Sequence, residues 1–73
     1  MYSDILKDYK RMVRSYMYLA NSSNQLAALE KIVERVEEAE LYQDDGNLDM
    51  LRVTLAIVGG MLLVYQYMSR EDL

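Results

Sequence analysis

The side chains with chemical potential in this 73-residue chain fall into four groups, and carboxylates dominate. Glu34 and Glu38 lie one helical turn apart, the spacing of a paired acid and base. Such a pair works only where its surroundings push the two pKa values apart within a cleft. A chain of this size offers little room for one. Asp44-Asp45-Gly46-Asn47-Leu48-Asp49 has the composition of a calcium loop. Setting Gly46 at the glycine position of such a loop puts Leu41 and Arg52 at the first and twelfth ligand places. Neither side chain can fill them, so the segment reads as an acidic turn that ends a helix. Lys7, Lys10, Arg11 and Arg14 could meet phosphate or anionic lipid, but Asp4 and Asp8 interrupt them and a solvated helix face is the better reading. The fourth group, Gly59-Gly60, offers backbone rather than side chains, and close approach is its use.

Composition removes most other chemistry. There is no cysteine and no histidine, so disulfides, thiolate sites and the commonest general base are excluded. With 12 acidic against 8 basic side chains, the net charge of −4 argues against a phosphate-backbone binder. Six acidic and no basic residues lie between Glu37 and Asp49. Docking on a basic partner and nucleic-acid mimicry are alternatives there, but a solvated acidic face, compensated by Lys7 and Lys10 across an antiparallel hairpin, is preferred. No catalytic, metal or cofactor site is assigned, and the expectation is a protein that is not an enzyme.

The elements that position these groups are three helices in one domain, residues 1–73, expected at about 4–20, 23–42 and 48–69. Ser3 is the expected N-cap of the first, Ser22 and Gln25 form a capping box for the second, and Asn47 caps the third. Gly46 supplies the left-handed residue between the second and third. Apolar residues recurring at three- and four-residue steps predict an intramolecular core of Ile5, Tyr9, Met12, Val13 and Tyr16 from the first helix. The second gives Leu26, Leu29, Val33 and Val36, widened by Ile32 and Ala39, and the third gives Leu51, Leu55, Val58 and Leu62. The fold class is all-α: a helical hairpin plus a long apolar C-terminal helix, completed by oligomerisation.

That completion is required by the third helix. Val53 to Tyr65 is thirteen residues without a charge. Two seams can be drawn on it, Leu51-Leu55-Val58-Leu62-Tyr65 and Val53-Ile57-Gly60-Val64-Tyr67, offset by about 200° at ~3.6 residues per turn. A helix apolar all round is buried in protein or in lipid. One seam therefore packs on the first two helices and the other, with Gly59, is assigned as the interface. Two interior glycines cost up to ~2 kcal/mol relative to alanine, which close helix packing can return; a kink or break is the alternative.

The expected function is a helical protein–protein interaction or regulatory protein, an adaptor or inhibitor, that acts as a homo-oligomer, at least a dimer, with a protein partner and no nucleic acid. A structural subunit of a virion or multi-subunit complex is the second reading. The third is a single-pass membrane protein anchored by residues 53–68 with its N-terminal part cytoplasmic; the run is short for a span of about 20 residues. The start of the chain lacks the basic-then-apolar pattern of a secretion signal, so a cytoplasmic setting is expected. The size suits a viral or bacterial accessory protein, although no residue establishes a source.

Overall fold

The computed structural model describes residues 2–71, with side-chain burial for residues 2–69. They form three helices: α1, Tyr2–Leu19; α2, Ser23–Asp44; and α3, Leu48–Glu71. The connections are short and the helices run up, down and up in a rod of 40 × 17 × 17 Å. At ~1.5 Å per residue, the 24 residues of α3 span about 36 Å, nearly the full length of the rod.

The ends of the helices follow their caps. At the start of α2, the Gln25 amide donates to Ser22 Oγ at 3.1 Å. The return arm, however, reaches one residue further back than a standard capping box: Asn21 N–H donates to Gln25 Oε1 at 3.0 Å. At the end of α2, Gly46 takes φ +72 and its N–H donates to the Gln43 carbonyl, while Asn47 N–H donates to Tyr42. This pair of bonds is the Schellman closure that a left-handed glycine permits. Asn47 then caps α3, its Oδ1 accepting from Met50 N–H at 3.3 Å. The exception is α1, which begins at Tyr2. Ser3 therefore lies within the first turn and does not cap it, because Tyr2 packs on the core and draws the helix back.

The core is a single cluster. It takes Leu6 and Val13 from α1, Leu29, Ile32, Val36 and Ala39 from α2, and Leu51, Leu55, Val58, Leu62 and Tyr65 from α3. Tyr9, Met12, Tyr16 and Val33 lie half-buried against it. Two expected core residues lie at its edge instead: Ile5 is 36% exposed and Leu26 39%. The reason is unequal packing. α2 and α3 share the largest interface and α1 touches α3 least. The buried line of α2 is thereby turned toward α3, through Ile32 and Ala39, which leaves Leu26 on the α1 side. On α1 the buried line runs through Leu6 and Val13, which leaves Ile5 to one side of it.

Polar contacts hold the flanks. Lys10 Nζ lies 3.2 Å from Glu40 Oε1, linking α1 to the acidic end of α2 as expected. Lys7 joins no ion pair among the described residues. Arg35 meets Glu38 at 3.0 Å within α2. At the other end of the rod, Gln66 Nε2 donates to Tyr16 Oη at 2.6 Å, and the Tyr16 and Tyr65 rings stand 5.2 Å apart. Tyrosine suits this place because its ring packs while its hydroxyl finds a polar partner.

Candidate interaction surface

Most of the groups that suggested chemistry in the sequence are occupied structurally or open to solvent. Glu34 is exposed, and its turn neighbour Glu38 is held by Arg35, so the two do not share a cleft. The Asp44–Asp49 turn carries the Schellman closure and the Asn47 cap. Among the described residues, no three acidic, histidine or cysteine side chains gather as metal ligands would. Lys7, Lys10, Arg11 and Arg14 surround a shallow, open depression on α1, and Lys10 is engaged by Glu40.

The remaining feature is the outer side of α3. Leu51, Leu55, Val58, Leu62 and Tyr65 are buried against the other helices, as is Thr54, whose hydroxyl donates to the Met50 carbonyl at 2.7 Å. Two residues further round, the second seam faces outward: Val53 is 48% exposed, Ile57 44%, Val64 59% and Tyr67 68%. Comparison with family models, curated proteins and solved structures finds no match to this chain.

The two glycines separate at this level. A Cβ built on Gly59 would lie 2.8 Å from Tyr9 Oη, so the bare backbone at 59 makes room for α1. Gly59 thus belongs to the intramolecular packing, not to the outer face where the sequence assigned it. Among the described residues, nothing lies within 4 Å of a Cβ built on Gly60. The helix runs through both without interruption, so neither marks a break.

Gly60 forms part of a groove of about 420 Å³ between α2 and α3. Ala28, Lys31 and Ile32 line one bank, and Met61, Val64, Tyr65 and Met68 the other. Lys31 is its one charged side chain among the described residues, and its aliphatic stem can flank an apolar occupant while the ammonium stays in water. The outer face is also wider than the seam read from sequence. Met50, Leu63 and Met68 are 39%, 67% and 53% exposed. The signal for Met50 and Met68 was present, since both continue the three- and four-residue steps of the seam.

Leu48–Ser69 is long and apolar enough to cross a membrane by length and composition. Its most apolar 18-residue stretch is 33% buried in the bundle.

Proposed function

We propose that this chain is a small non-enzymatic helical protein that works by association, an adaptor or regulator that is itself a homo-oligomer, with the outer face of α3 as its contact surface. The observation that carries this reading is the exposed apolar seam with a free Gly60 at its middle. Its large side chains, Met50, Val53, Ile57, Leu63, Val64, Tyr67 and Met68, are each between 39% and 68% exposed. The largest apolar patch on a typical monomer is about 300–600 Å² and is itself often functional. A chain below ~80 residues without disulfides or metal gains stability most readily from a second subunit.

A specific observation also favours a membrane reading, namely the length and composition of Leu48–Ser69. Packing weighs against it. To cross a bilayer, α3 must leave α1 and α2, exposing Leu29, Ile32, Val36 and Ala39 to water, or carry their charged outer faces into lipid. The first costs the fold its core, and the second buries charge in lipid. A protein that remains in the pellet after carbonate extraction and needs detergent for release would establish the membrane reading.

Light scattering on the purified chain and on Ile57→Asp tests the association. Ile57 is half-exposed, so the substitution leaves the bundle intact while placing a charge in the seam. The expected result is unchanged helical ellipticity with a fall to the 8.5 kDa monomer. An unchanged particle mass with the helical signal retained removes the seam from the interface.

A further inference from the structure

We infer that α1 is a detachable strap, opening from the α2–α3 hairpin as a unit while the hairpin stays formed. Burial is the first ground. Only Leu6 and Val13 of α1 enter the sealed core, against four residues from α2 and five from α3. α2 and α3 also share the largest interface of the bundle, so the hairpin is its better-sealed part. Segments with few buried apolar contacts are the ones that open at less than the cost of global unfolding.

The second ground is the kind of contact that holds α1 down. Tyr2, Tyr9, Met12 and Tyr16 pack on the core only half-buried. Tyr9 reaches α3 with its hydroxyl tip, 2.8 Å from where a Cβ on Gly59 would stand. Tyr16 reaches it through the bond its hydroxyl accepts from Gln66 at 2.6 Å. Among the described residues, that is the one side-chain hydrogen bond between α1 and α3. Toward α2, the Lys10–Glu40 ion pair joins side chains that are 44% and 41% exposed. Water can take the place of each of these polar partners as α1 lifts, so their loss costs little.

The third ground is the joint. α2 and α3 are tied together by the closure at Gly46 and the Asn47 cap. Between α1 and α2, Ala20 to Ser22 lie outside either helix, and Ser22 is extended at φ −139, ψ 154. The bonds of this joint run from Asn21 and Ser22 to Gln25, on the α2 side. A swing of α1 about Ala20 therefore breaks none of them.

Hydrogen exchange of the full chain under native conditions, resolved amide by amide by NMR, tests the strap. After correction for intrinsic rates, amides in the middle of α1 should exchange at least tenfold faster than those of Val36 and Ala39. Both references lie on α2, away from the contact surface proposed on α3, so the comparison holds for a monomer or an oligomer. Two variants separate opening of α1 from unfolding of the whole bundle. Asn47→Ala removes a cap inside the hairpin and should speed Val36 and Ala39 roughly fivefold while leaving α1 unchanged. Tyr16→Phe removes the oxygen that Gln66 reaches and should speed α1 roughly fivefold. Equal rates in α1 and α2 would overturn the strap. So would an Asn47→Ala effect as large in α1 as in α2, because α1 would then part only when the hairpin unfolds. Fast exchange in α1 that ignores Tyr16→Phe would reduce the opening to local fraying and overturn it as a unit.

Discussion

The inner and outer faces of α3 are built from the same kinds of side chain, and they differ in what covers them. Inward, Leu51, Leu55, Val58 and Leu62 are sealed by two neighbouring helices. Outward, Val53, Ile57 and Val64 repeat the spacing and apolar character, yet each is left about half-exposed. The adjacent glycines reduce the contrast to one residue step, with Gly59 filled by Tyr9 and Gly60 open. Hydrophobic periodicity locates faces that need cover, and counting neighbours locates the face whose cover is not in the chain.

The largest expected effect lies on the inner face. Leu62→Ala should cost about 2–5 kcal/mol, because the surrounding core closes only partly over the cavity. Thermal unfolding followed by circular dichroism checks this. At ~4–8 °C per kcal/mol for a domain of this size, the melting temperature should fall by about 8–40 °C or folding be lost. A comparable loss from Ile57→Asp in monomeric protein would erase the distinction between the two faces.

A step down, Gly59→Leu should destabilise the chain by about 1–3 kcal/mol through overpacking against Tyr9. Gly59→Ala should be far milder, since the obstructing atom is the hydroxyl tip of a side chain that can swing. Its neighbour should respond with the opposite sign. In the Ile57→Asp background, where the chain is expected to be monomeric, Gly60→Ala should stabilise by roughly 0.8–1 kcal/mol, the helix-propensity difference with no clash to offset it. Urea titration of the two glycine variants side by side is the sharpest form of the comparison. Equal responses would mean that the two positions do not face different surroundings.

The smallest effect belongs to the exposed pair Lys10–Glu40. Lys10→Ala should shift stability by less than about 1 kcal/mol, and raising salt should have a similarly small effect. A change of several kcal/mol would show the acidic end of α2 to be compensated far more strongly than two half-exposed side chains allow.

Much of the fold was legible in the sequence, and for identifiable reasons. No proline interrupts the helices, Asn21–Asn24 and Gln43–Asn47 are polar breaks, and the Ser22, Gly46 and Asn47 signals were each specific to one end of a helix. The inner seam was also legible, because Leu51, Leu55, Val58 and Leu62 follow an unbroken pattern. What the sequence left open depends on where neighbours stand. Neighbouring residues on a helix point about 100° apart, so Gly59 and Gly60 could be told apart only once α1 had brought Tyr9 alongside. Ile5 and Leu26 were misplaced for the same reason, since periodicity fixes a stripe but not which edge of it a third helix covers. Ser3 failed as a cap because packing by Tyr2 outweighed a local preference. The groove over Gly60 needed α2 and α3 together, and no pattern within one helix contains it.

The measurement that bears most directly on the uncovered face is sedimentation equilibrium of the unmodified chain in detergent-free buffer, across a hundredfold range of concentration. The account predicts a species of about twice the 8.5 kDa chain mass that dissociates only at the dilute end. A soluble, helical 8.5 kDa particle at every concentration would contradict it, because the outer seam of α3 would then be stable in water without cover.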